Sequence, residues 1–164
     1  MGHTFSPSVP TRTSTATTTL NVNNTTGSLV AFTLAGSGEG YIYGIVTTQL
    51  SANVTAAHLR LNDQTATVDI SLNTGVALSA APVGSQISRS GLVTAALTLQ
   101  SSAAGAILDA ATAGNNSLTP FKWTKKSGAT TTIDFRYTTT DAPSSGAIQW
   151  FLVWQPRSAD AAVS

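Results

Sequence analysis

Between Thr131 and Thr138 the residues Ile133, Phe135 and Tyr137 alternate with Thr132, Asp134 and Arg136. A period of two belongs to a strand with one face turned to a core, and a helix cannot satisfy it. The same phase recurs in Ala57–Leu61, where Leu59 and Leu61 oppose His58 and Arg60. It recurs again in Thr67–Leu72, where Val68, Ile70 and Leu72 oppose Thr67, Asp69 and Ser71. Only Asn62-Asp63-Gln64 and a few small residues separate these two runs, so they are expected to form a hairpin with one wet face, His58 pointing to solvent. Tyr41–Val46 and Ile148–Trp154 are apolar on both parities. Each is expected to be covered on both sides, the first as a central strand and the second as the most enclosed strand of its sheet, closed by Pro156.

The remaining segments follow the same grammar. Thr18–Val22 and Ser28–Leu34 flank an Asn- and Gly-containing turn and read as a hairpin, while the glycines of Gly36–Gly40 read as a loop. Thr119–Lys125 and Leu92–Gln100 read as strands, and the alanine-rich Ser102–Ala113 is the one candidate for a short helix. About eight short strands with turn signals between them predict an all-β fold, an antiparallel β-sandwich or jelly roll. At 164 residues the chain is the length of one domain. Residues 1–19, with Pro7, Pro10 and a Thr/Ser run, read as an extended N-terminal arm; 20–156 is the sandwich, and 157–164 a small-residue tail. No leader and no membrane-spanning run is expected from the apolar stretches present.

Composition narrows the function classes. Only 9% of residues are charged, against the roughly 25% usual in soluble domains, and the net charge is +1. No broad field gathers nucleic acid or an anionic membrane. Ser and Thr instead make up more than about a quarter of the chain, well above ordinary usage. A hydroxyl surface has little long-range repulsion, and covering it avoids the cost of stripping water from ions. Such a surface favours packing beside neighbours.

Signals for chemistry are sparse. There is no cysteine, and the two histidines are His3 and His58. Thiolate chemistry is therefore excluded, and a histidine metal cage or relay has little to be built from. The acids Glu39, Asp63, Asp69, Asp109, Asp134, Asp141 and Asp160 show no spacing that selects a catalytic pair or a calcium loop. The glycines of Gly36–Gly40 lead into a strand rather than a helix, so they do not make a phosphate loop. We expect no catalytic residue, no cofactor and no metal. Trp150 and Trp154 share a parity on the most apolar strand and are assigned to the core or a subunit interface. Phe121, Trp123, Lys122, Lys125 and Lys126 form the one basic-aromatic cluster. Phe121, Trp123, Lys125 and Lys126, with Phe5, Pro7 and Pro10 of the arm, are the candidates for contact with a partner.

Several segments taken together carry a resemblance. They are the Thr/Ser/Pro-rich start, Gly40-Tyr41-Ile42-Tyr43-Gly44-Ile45-Val46-Thr47-Thr48, His58-Leu59-Arg60-Leu61-Asn62-Asp63, and Gly146-Ala147-Ile148-Gln149-Trp150-Phe151-Leu152-Val153-Trp154-Gln155-Pro156. From about Gly27 to Pro156 the chain resembles small tailed-bacteriophage virion proteins, in style and layout rather than by a diagnostic motif. The resemblance implies a capsid decoration or cement protein, a non-enzymatic structural component bound to the outer head surface. It implies the major capsid protein and further copies of this chain as partners, commonly in a homotrimer, and a location on the virion after assembly in the host cytoplasm. A tail, neck or fibre-attachment protein is the alternative virion role. A carbohydrate-binding sandwich using Trp123, or Tyr41 and Tyr43, is the alternative outside that class.

Overall fold

Gly44 lies directly opposite Trp150 on the neighbouring strand, and a Cβ added to it would sit 2.8 Å from the indole ring. The pairing is repeated: Gly40 faces Trp154, Gly38 faces Trp123 and Gly27 faces Tyr137. At Gly27, Gly38 and Gly44 the ring itself lies across the gap the glycine leaves, while at Gly40 the Val153 carbonyl and the Cβ of Trp154 occupy it, so these positions are filled rather than empty. This device organises the core of the computed structural model, which describes residues 10–20, 26–72, 77–89, 96–101 and 120–164.

Eleven strands occur among the described residues: β1 Arg12–Thr19, β2 Thr26–Ala35, β3 Ser37–Thr48, β4 Val54–Asn62, β5 Thr67–Asp69, β6 Gln86–Arg89, β7 Leu97–Gln100, β8 Phe121–Thr124, β9 Thr131–Thr139, β10 Ala147–Pro156 and β11 Ala162–Val163. They form two antiparallel sheets. The first runs β1-β10-β3-β6-β7, with β8 also paired to β3; the second runs β11-β2-β9-β4-β5. β3 is central, as expected: β10 follows its whole length, while β8 pairs with its start and β6 with its second half. The inward faces meet through Phe135 of β9 and Trp150 of β10, whose ring centroids are 5.1 Å apart. Ile42, Leu59, Ile87, Ile133, Phe135, Ile148, Trp150 and Leu152 are fully enclosed between the sheets. The all-β, two-sheet architecture agrees with the sequence reading of a sandwich of about eight strands or more.

Local readings differ in instructive ways. Arg12–Thr19, assigned to the arm, is an edge strand held in register against β10 along its full length. Its inward hydroxyls serve the core: Trp150 Nε1 donates to Thr18 Oγ1 at 2.9 Å and Trp154 Nε1 to Ser14 Oγ at 3.2 Å. The hairpin expected between Thr18–Val22 and Ser28–Leu34 does not form, because β1 and β2 belong to opposite sheets. Gly36 alone turns the chain from β2 into β3, with φ of 58°, and Ser37–Gly40 are strand rather than loop. The tail is packed too. β11 pairs with β2, and Thr33 and Ser164 exchange backbone hydrogen bonds of 2.7 and 3.0 Å.

The β4–β5 hairpin is present, with Arg60 opposite Asp69, but β5 is three residues long and Val68 is 64% exposed on the sheet edge. The most enclosed strand is β9, where Thr131 to Phe135 are buried on both faces, whereas the outward residues Gln149, Phe151 and Val153 of β10 are half-buried. Leu97–Gln100 is strand, as read, and pairs with β6, a strand the sequence did not announce. The candidate helix Ser102–Ala113 lies outside the described residues, as do Phe5 and Pro7. No helix among the described residues is long and apolar enough to cross a membrane.

Candidate functional site

The alternation that buries Leu59, Ile133 and Phe135 sends their neighbours to the outer face of the second sheet. Cross-strand register then aligns Ser28, Arg136 and His58 in one row, and Val30, Asp134, Arg60 and Asp69 in the next. Asp134 is buried, with 2% of its surface exposed, and its carboxylate is fully engaged. It accepts from Thr132 Oγ1 at 2.6 Å, Asn62 Nδ2 at 2.9 Å and Ser28 Oγ at 3.2 Å, and Arg60 Nη2 lies 3.4 Å away. Several donors on one carboxylate offset the cost of burying it. The arrangement is a structural clamp across β2, β9 and β4.

Beside this clamp lies a groove of about 310 Å³ lined by Ala56, His58, Arg60, Thr67, Asp69, Arg136 and Thr138. His58, expected to face solvent, is instead buried in its wall, because β5 and the long side chains of Arg60 and Arg136 flank the ring. Its Nε2 is 3.9 Å from Asp69 Oδ1. Burial holds its pKa below the ordinary 6.5; Asp69 opposes that shift, and Arg136 and Arg60 add to it. The nearest acidic partner is therefore too distant for a short hydrogen bond, and no Ser or Thr hydroxyl is bonded to His58 among the described residues.

The expected contact residues divide. Phe121 and Trp123, read as available to a partner, are core residues with 8% and 3% exposure. Period two on β8 turns both inward, where Trp123 packs 5.8 Å from Trp154 and 5.9 Å from Phe121. Lys122 and Thr124 take the outward positions. A sugar cannot stack on Trp123. Pro10, Lys125 and Lys126 are exposed, but Lys126 is drawn to Asp63 at 3.4 Å and Thr65 at 3.1 Å. Lys125 shares a recess of about 380 Å³ with Gly36, Ser158 and Asp160, so the basic patch is partly neutralised by carboxylates.

The outer face of the first sheet has a different character. Thr13, Thr15 and Thr17 of β1, Gln149, Phe151 and Val153 of β10, and Tyr41, Tyr43 and Ile45 of β3 share it by register. None carries a charge. Tyr43 and Phe151 stack with centroids 4.9 Å apart and planes 9° from parallel. Among the described residues, charge returns to this face at one end, where Glu39 pairs with Arg157 and lies opposite Lys122.

No group of three or more histidines and acids able to hold a metal occurs among the described residues. These features define an antiparallel β-sandwich with one polar, clamped face and one uncharged face. No protein-family model matches the chain, and no curated protein or solved structure matches it.

Proposed function

We propose that this protein is a non-enzymatic structural component of a bacteriophage virion, a decoration or cement protein that binds the outer head surface. The observation that carries the reading is the uncharged outer face of the first sheet, nine residues from three strands combining threonine hydroxyls with a stacked aromatic pair. Such a face loses little on desolvation and gains from burying Phe151, Val153 and Ile45. Aromatic residues are enriched in the centres of protein interfaces, where charged residues are depleted. The long-range resemblance to phage virion proteins supplies the partner, the major capsid protein, and the low overall charge suits close symmetric assembly.

The test is occupancy on purified particles. Mass spectrometry is expected to find enough copies to cover a head lattice, and Thr15→Lys, at an exposed position on β1, is expected to lower that occupancy without unfolding the body. Phe151→Lys is expected to lower it further. Binding through this face should change little with added salt, since few ions are involved. Copies sufficient only for a ring would move the protein to the tail or neck. Wild-type occupancy by both variants, or a steep loss with salt, would overturn the role given to this face.

A further inference from the structure

We propose that the groove on the outer face of the second sheet binds a carboxylate group, presented by an acidic side chain or chain terminus of a partner protein. Arg60 and Asp134 neutralise one another, and Asp134 has its oxygens filled by Thr132, Asn62 and Ser28. Arg136 is different. It lines the groove opposite His58 in the β9–β4 register, and its guanidinium has no ion pair or hydrogen bond among the described residues. A guanidinium offers five N–H donors in a planar fork, the geometry that a carboxylate matches with two parallel bonds.

The other walls agree. Thr67 and Thr138 bring hydroxyls to the groove, and the Nε of Arg60 is buried without an acceptor. The unmet capacity is thus mainly that of donors, and the missing ligand must bring acceptor oxygens. Its charge is limited by Asp69 at the rim, whose carboxylate is partly exposed and lies nearest His58. With His58 neutral, Asp69 offsets part of the Arg136 charge, so a monoanion is accommodated, while a dianion meets the Asp69 carboxylate with no second free cation lining the groove among the described residues to offset it. A carboxylate therefore fits better than a phosphate. The groove lies on the sheet opposite the uncharged face, so this site is separate from the one argued for particle binding.

The experiment is an NMR titration of the intact protein at about pH 8, where an unshifted histidine is neutral and phosphate is largely a dianion. The probes are sodium acetate and inorganic phosphate, with sodium chloride at matched ionic strength as the reference. Acetate is expected to move the Arg136 and His58 side-chain signals along a saturable curve, and phosphate to do so more weakly. Arg136→Gln is expected to weaken acetate binding about tenfold or more, the scale of one charge-assisted interaction. Asp69→Asn is expected to strengthen it, an outcome that a purely structural role for Asp69 does not produce. No saturable response to acetate, tighter binding of phosphate than acetate, or no gain in Asp69→Asn would each overturn the proposal. Far-UV circular dichroism of both variants guards against misfolding, and particle occupancy is read separately.

Discussion

Two residues show how a hydroxyl-rich chain uses its hydroxyls. Trp150 is completely buried, and its indole N–H reaches Thr18 Oγ1 on the neighbouring strand. Thr18→Val keeps the shape of the side chain and removes the acceptor, leaving a buried donor unmet. The expected cost is about 1–3 kcal/mol, read as a lower denaturant midpoint with an unchanged m value. His58 makes a prediction of a different kind. Because its folded pKa lies below 6.5, the unfolded chain binds protons more readily than the folded one as pH falls below that value. The stability it contributes is present above pH 6.5 and is lost as pH falls from there through its depressed folded value. Thermal melts across that window should decline in the wild type and decline less in His58→Gln. The burial of His58 was not legible in the sequence, where its parity placed it on the wet face. Arg60 shares its face two residues along β4, but Arg136 comes from β9, and only the register of β4 against β9 brings it beside His58.

At the scale of elements, β1 and the hairpin β4–β5 mark the two limits of sequence reading. The hairpin was legible because its alternation and its turn are local. Asp63 Oδ1 accepts from the amides of Thr65 at 2.9 Å and Ala66 at 2.6 Å, and those bonds, Ala66 first, hold its carboxyl below the usual range. β1 was not legible because RTSTATTT has no apolar alternation to reveal a buried face. Its inward positions are Ser14, Ala16 and Thr18, small or hydroxyl residues that fit against the two large indoles of β10. A deletion of residues 2–19 therefore removes an edge strand and two indole acceptors. The truncated chain is expected to melt well below the full-length protein, or to aggregate through the newly exposed edge of β10, as followed by circular dichroism and light scattering. A melt equal to that of the full chain would show that β1 contributes nothing to the body.

Over the whole molecule, charge is sorted by face. The second sheet carries the Asp134 clamp and the arginine-lined groove, while the first presents hydroxyls and stacked rings; the ends collect Lys126 with Asp63 and Arg157 with Glu39. A molecule sorted in this way has two chemically different surfaces. The two-layer all-β class was determined by the sequence alone, since period-two alternation and closely spaced turns are local properties that no other architecture uses as well. Trp150 and Trp154, whose shared parity left the core or a subunit interface open, are both buried in the core. Tertiary structure alone decided which strands are neighbours, and hence that Trp123 fills the space above Gly38 instead of facing a partner. It also decided that Asp134, which lies 72 residues from Asn62, 74 from Arg60 and 106 from Ser28, is saturated, while Arg136 two positions along has no such partner among the described residues. The physical reason is that parity says which side of a strand a residue takes, whereas its partners depend on register between segments far apart in the chain.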